Sequence, residues 1–210
     1  NAVEIVQKHI DMVRAAKGVP QLNHPNFGWA LTAPQIIQLK NVHLMEIYNG
    51  HPLVNNLGGG DSPGVEEIWD EVLTAGRTIY GIADDDVHHI KRIGDRTAAT
   101  PGHGWIVVRA AELTPAAILA AIERGDFYAS TGVELTDYQA NDRTITVTVD
   151  QERWSKYRIQ FIGSGGRILK EERSSPAVYT IQGNEGYVRA KIIESNGKMA
   201  WTQPVRVTPR

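Results

Sequence analysis

The sequence predicts an α/β fold followed by a small antiparallel β-sandwich, and three observations carry that expectation. Over residues 1–90, apolar residues alternate between helical spacing and short extended runs in the order helix, strand, helix, strand, helix, strand. That rhythm belongs to a parallel sheet with crossover helices. Each of the three strands runs directly into polar residues of the kinds that bind or catalyse. From about Leu135 the texture changes to period-two alternation broken by Gly and Asn turns, the pattern of paired antiparallel sheets. The boundary falls at residues 133–137, which gives an α/β region over 1–134 and a sandwich over 135–210.

In chain order, Val3, Ile5, Val6, Ile10 and Val13 share one helical face, and Gly18 is placed to stop that helix near Lys17. Residues 19–22 read as a short strand ending at Asn23-His24-Pro25-Asn26. Thr32 and Pro34 supply a cap and first turn for a helix through Leu39. A strand at 42–47 ends at Tyr48-Asn49-Gly50-His51-Pro52. After a flexible Gly58-Gly59-Gly60-Asp61 loop, Val65, Ile68, Trp69, Val72 and Leu73 line a helix stopped by Gly76. The strand at 78–83 runs into Asp84-Asp85-Asp86-Val87-His88-His89. Residues 105–109 read as a further strand. Thr114-Pro115 caps a helix ended by Gly125, and 127–132 returns the chain toward the strand ends. In the second region, strands are expected at 144–149, 157–162, 178–181 and 187–193, with Asn196-Gly197 as a hairpin turn.

The 210 residues carry a formal net charge of -2, with 22% charged side chains. Nothing in that balance suggests a polyanion-binding surface, so nucleic acid is not an expected partner. No apolar run approaches the roughly 20 residues that span a bilayer, and no membrane partner is expected. The absence of cysteine rules out disulfides and thiolate metal sites and fits any compartment; a secreted or periplasmic location is permitted. Asn1 is not an initiator Met, and the helical face starts at Val3. The sequence therefore reads as opening inside a structured domain, its front part processed, excised or recorded elsewhere.

Three carboxylates and two imidazoles at the end of an apolar strand are costly to place without a compensating charge. A divalent metal is the simplest compensator, since imidazole and carboxylate are its usual ligands. Asp86 and His88, two apart, would share a face in an extended segment. If the strands are parallel, their ends bring His24, the 46–51 segment and the Asp86/His88 pair to one rim. A metal is thus expected at Asp86 and His88, which are also the catalytic candidates, with His24 on the same rim. Asn49 and His51 are candidates to bind substrate. Glu46 reads as a strand-end carboxylate paired within the fold in preference to a ligand. Asp84 and Asp85 cap the next segment or orient ligands, and His89 is exposed. Arg109 is expected in a structural ion pair, and Ser130 and Thr131 either contact substrate or satisfy a turn. Trp29, Trp69, Trp105, Trp154 and Trp201 read as packing residues. The 57–64 loop lacks the Gly-Lys-Ser/Thr ending of a phosphate loop.

Four stretches resemble the carboxyl-terminal part of the polymerase and histidinol phosphatase (PHP) metallohydrolases, nearest to the CehA/McbA-like members. They are Asn23-His24-Pro25-Asn26, Glu46-Ile47-Tyr48-Asn49-Gly50, Ala83-Asp84-Asp85-Asp86-Val87-His88, and the pair Phe127-Tyr128-Ala129-Ser130-Thr131-Gly132 and Ala200-Trp201-Thr202-Gln203-Pro204. The resemblance implies the C-terminal part of a distorted (βα)7 barrel followed by the β-sandwich. It also implies His24, Asp86 and His88 as metal ligands, and two or three divalent ions (Zn, Mn or Fe) in a complete site. The implied activity is hydrolysis of a small-molecule phosphoester, or of a carboxylic or carbamate ester, by metal-activated water. The family's opening His-x-His motif is absent from this sequence, so the N-terminal half of the barrel is expected as the missing partner, from the same parent chain or a cleaved fragment. The competing expectation is a non-catalytic fragment or binding module whose working part is the sandwich.

Overall fold

The computed structural model describes residues 1–95 and 97–208. Helix α1 (Ala2–Ala15) starts where the Asn1 side chain accepts the Glu4 N–H at 3.0 Å. It ends two residues short of the Lys17 that Gly18 suggested. Lys17 takes the left-handed turn at φ 61°, while the Gly18 N–H reaches the Val13 carbonyl and the Lys17 N–H that of Arg14. Gly18 is needed for room instead, because a Cβ there would lie 2.9 Å from the Val13 side chain.

Strands β1 (Gln21–Leu22), β2 (Leu44–Asn49) and β3 (Tyr80–Asp84) form a parallel sheet in that order. The connections are α2 (Ala33–Gln38) and α3 (Val65–Thr74). Pro34 sits in the first turn of α2, where the Thr32 N–H donates to the Gln35 side chain at 2.9 Å. Strands β2 and β3 start two residues later than the apolar runs suggested, which brings Asp84 into β3 itself. Trp69, Val72 and Leu73 on α3 pack with Met45, Ile47 and Ile79 in one buried core.

The alternation stops there. Among the described residues the parallel sheet has three strands and no barrel closes. Strands β4 (Trp105–Val108) and β5 (Phe127–Ser130), joined through α4 (Pro115–Arg124), pair antiparallel with each other. β5 then pairs with β12 (Met199–Thr202). The remaining strands are β6 (Leu135–Ala140), β7 (Thr144–Val149), β8 (Tyr157–Gly163), β9 (Arg167–Glu172), β10 (Ala177–Thr180), β11 (Tyr187–Glu194) and β13 (Val205–Arg206). One sheet runs β4-β5-β12-β11-β8-β9 with β13 beside β11; the other runs β10-β7-β6. Ile145 and Val147 from the smaller sheet share a core with Ile159, Phe161, Ala190 and Ile192 from the larger. The larger sheet draws strands from both sides of residue 134, since β5 before it pairs with β12 after it.

The other face of the large sheet packs on the α/β layer, where Ala129, Tyr187 and Trp201 join the core around Trp69. Charge reinforces this contact. Buried Arg189 donates to both Asp70 carboxylate oxygens at 2.8 and 2.7 Å, and its guanidinium lies 4.6 Å over the Trp69 ring. The Tyr187 hydroxyl donates to Asp70 at 2.7 Å, and Lys191 pairs with Glu66. Buried Gln203 exchanges two hydrogen bonds of 2.8 Å with the backbone of Gly81 in β3.

Candidate functional site

The carboxyl ends of β1, β2 and β3 carry the polar residues singled out above. Glu46 lies inside β2 at 1% exposure, buried beside the last residue of β3. One Glu46 oxygen accepts the His24 backbone N–H at 2.6 Å and the Asn49 amide at 2.9 Å. Residues three apart on a regular strand face opposite ways. The register shift between Glu46 and Tyr48 inserts one residue, as a bulge does, and puts Glu46 and Asn49 on the same side.

Gln21 bridges the two carboxylates of adjacent strands, its amide 3.5 Å from Glu46 and 3.2 Å from Asp84. Burial, reinforced by the hydrogen bond to Asp84, pushes the Glu46 carboxyl up to about 8. Glu46 is thereby held toward its protonated, neutral form. The other Asp84 oxygen, Oδ1, is buried without a hydrogen-bond partner, a position that normally calls for a donor, a water or a cation.

Beyond β3 the chain is not extended. Asp86 adopts φ 49°, a left-handed turn that Asp tolerates better than most residues. The expectation that Asp86 and His88 share one face of an extended segment is corrected accordingly. Asp86 accepts from Asn49 at 3.3 Å, and His88 folds back so that Nδ1 lies 2.7 Å from the Asp86 carbonyl. A ring that donates through Nδ1 presents the Nε2 lone pair outward. The His88 side chain is 55% exposed. His51 has the opposite arrangement: its Nδ1 accepts the Leu53 N–H at 3.1 Å, which leaves Nε2–H as the outward donor in the neutral ring. The two rings meet edge to face, 5.0 Å apart. The His24 ring packs edge-on against Phe27 at 5.5 Å.

Asn49 is committed within the protein. Its amide donates to Glu46 and Asp86, its carbonyl accepts the His51 N–H at 2.8 Å, and its backbone is clamped from both sides by Asn56. It organises the rim, whereas His51 faces outward from it. Asp85 holds the next loop by accepting the N–H groups of Gly102, His103 and Gly104 at 2.9, 2.6 and 2.8 Å. His89 is exposed, Arg109 lies 3.5 Å from Asp137, and the Ser130 hydroxyl donates to the Val133 carbonyl within its turn. Trp154 departs from its expected packing role: it is 84% exposed in a loop, beneath Arg153 at 4.7 Å.

The sequence reading missed Gln21, Asn56 and His103. His103 sits against Gly50, where a Cβ would come within 2.7 Å of it, and its Nε2 is 3.0 Å from the buried Thr100 hydroxyl. Gln21 lies within β1 and the other two in polar or glycine-rich stretches, and what each touches depends on contacts with other strands and loops, so spacing alone carries no signal for them.

The donor chemistry suits a divalent ion, and the bare Asp84 Oδ1 is the atom that most needs one. Among the described residues, however, no three His, Asp or Glu side chains are disposed to hold a metal ion. His24, Asp86 and His88 are not assembled into a ligand set by this chain alone. No helix among the described residues is long and apolar enough to cross a membrane. Compared with known proteins, the chain matches no family description, no curated protein and no solved structure.

Proposed function

We propose that this chain carries one flank of the centre of a metal-dependent hydrolase of the PHP type, acting on a small phosphoester or on a carboxylic or carbamate ester. The observation that carries this reading is the carboxylate pair Glu46–Asp84 on adjacent parallel strands, with one buried Asp84 oxygen left bare. Asp86 is linked to the pair through Asn49 and His24 through its backbone N–H on Glu46, and further donors would have to be supplied from outside this set. A divalent ion held there would supply an activated water and polarise the ester oxygen.

The chain's own residues have defined parts. Glu46, its acidity weakened by burial, would limit the charge gathered in the buried layer. Asn49 fixes the spacing of Glu46 and Asp86. His88 would offer Nε2 outward, and the His51 Nε2–H would donate to an ester oxygen. The test is titration calorimetry with Zn2+ and Mn2+, together with metal content by plasma mass spectrometry. Weak saturable binding that disappears in the double variant Asp84→Asn/Asp86→Asn is the expected result. Absence of binding, or binding unchanged in the variant, overturns the reading. The exposed Trp154 beneath Arg153 would then favour the second reading, a binding module whose working surface lies on the sandwich.

A further inference from the structure

Tyr80 opens the strand that Asp84 closes, so the start of β3 lies at the opposite end of the parallel sheet from the carboxylate pair. A cavity of about 510 Å³ stands there, in the seam between the α/β layer and the two sandwich sheets. Its size is that of a small-ligand pocket, and junctions between layers are where such pockets form. The walls are Tyr80, the paired strands β4 and β5 at residues 107–109 and 127–128, strand β6, and the Gln203-Pro204-Val205 link.

Contacts between these segments hold the walls in place. The Tyr80 ring fills the space that a side chain at Gly125 would need, and it meets Phe127 edge to face at 6.3 Å. The Leu135 N–H donates to the Tyr128 hydroxyl at 3.2 Å, and the Tyr138 hydroxyl donates to the Gln203 carbonyl at 3.4 Å. Phe127 and Gln203 are buried. With Tyr80, Tyr128 and Tyr138 also in the lining, the cavity is suited to a flat aromatic body.

Four charged side chains complete the lining, and three of them are taken. Arg124 holds Asp126 through contacts of 2.9 and 2.8 Å, and Asp137 accepts the Gln139 amide at 2.7 Å. Among the described residues the Arg109 guanidinium has only Asp137 at 3.5 Å, longer than a good hydrogen bond to a carboxylate. Its side chain is 64% exposed, so the fork of N–H donors stands at the mouth. Tyr138 is its neighbour there: burial pushes the Tyr138 hydroxyl up, and the Arg109 charge acts on it in the opposite sense. A neutral donor and an underused cation therefore share one side of the cavity.

We propose that this cavity binds a small aromatic monocarboxylate, its one or two rings against the tyrosine walls and its carboxylate on the Arg109 fork. A planar guanidinium matches a carboxylate through two parallel hydrogen bonds. An uncharged aromatic body would leave the fork unused, and a second negative charge would be repelled by Asp126 and Asp137. The site is separate from the hydrolase reading and does not depend on a metal at the far end of β3.

The probe is 2-naphthoate, titrated at neutral pH into the intact chain and followed by backbone amide chemical shifts. Saturable shifts confined to Tyr80 and residues 107–109, 124–128, 135–140 and 203–205 are expected, with a dissociation constant of about 1 mM or tighter for a ligand of this size. 2-Naphthalenemethanol, which has the rings without the charge, should bind about fivefold or more weakly. Acetate, which has the charge without the rings, should not saturate. Arg109→Gln should remove the preference for the acid over the alcohol. Its ion pair is long and exposed, so the variant should fold as the wild type does.

Shifts elsewhere, no saturation, or equal affinity for the acid and the alcohol would overturn the proposal. So would a preference for the acid that survives Arg109→Gln, because the charge would then be read by some other group. Metal binding without naphthoate binding removes this inference and leaves the hydrolase reading standing. Naphthoate binding without metal binding does the reverse.

Discussion

Glu46 is a carboxylic acid held where its charge is poorly solvated and a second carboxylate is near. Its acidity moves from an ordinary 4.5 to about 8, first through burial and then through the hydrogen bond to Asp84. The consequence for stability has a definite sign. Between these two values the folded chain keeps a proton that the unfolded chain has released, so this group weakens folding as pH rises from about 4.5 to about 8, by up to about 1.4 kcal/mol per pH unit. Below that window both states are protonated and nothing is lost. Glu46→Gln should flatten this slope in metal-free protein, because an amide can still accept from His24 and donate to Asp84. Urea unfolding at pH 5, 6.5 and 8 measures it; an unchanged slope would mean that Glu46 is ionised in the fold. At the same scale, the proposed hydrolase role predicts that Asp86→Ala cuts ester turnover of the complete site by two or more orders of magnitude. Steady-state kinetics with a generic phosphodiester reads this directly.

Two elements owe their geometry to single residues. The end of α1 uses Lys17 at φ 61°, a conformation that costs a residue bearing a Cβ roughly 1 kcal/mol. Lys17→Gly should therefore raise stability by about 0.5–1 kcal/mol, read as a higher unfolding midpoint. Strand β3 depends on Gly81, where a Cβ would lie 2.7 Å from Ile47 and 2.9 Å from Trp69. Gly81→Ala should cost about 1–3 kcal/mol by overpacking. It would also strain the Gln203 bonds to the Gly81 backbone, so thermal unfolding should report a loss larger than the added methyl suggests. The bulge in β2 works at this level too, because it alone lets Glu46 and Asn49 face one site.

At the scale of the molecule, the α/β layer and the sandwich are joined by buried charge and a shared core. Asp70 receives Arg189 and Tyr187 together, and Arg189 is fully enclosed beneath the sheet. Asp70→Ala would remove the bidentate partner of a buried guanidinium and leave it only Glu66 at 3.3 Å, and should cost about 3–5 kcal/mol in chemical unfolding. Because β5 pairs with β12 across residue 134, calorimetry should show one unfolding transition. Two well-separated transitions would mean that the halves are energetically independent.

The residue pattern by itself determined the local elements. Helix faces, the Thr114 cap, the Gly76 and Gly125 stops and strand β7 follow from periodicity, capping and φ preference, which act within a few residues. It also singled out the strand ends as the place where carboxylates and imidazoles gather, since polar residues closing apolar runs are visible in one dimension. Only the tertiary structure decided which sheet each strand joins. β4 and β5 look like further units of the alternation, yet they pair antiparallel with each other and β5 takes its second partner far along the chain in β12. Only the tertiary structure made Glu46 an acid beside Asp84, turned Asp86 out of the extended line, and committed Asn49 to internal bonds. Those outcomes depend on burial, on a one-residue register shift and on contacts between separate loops, and none of these quantities is written in the spacing of residues along the chain.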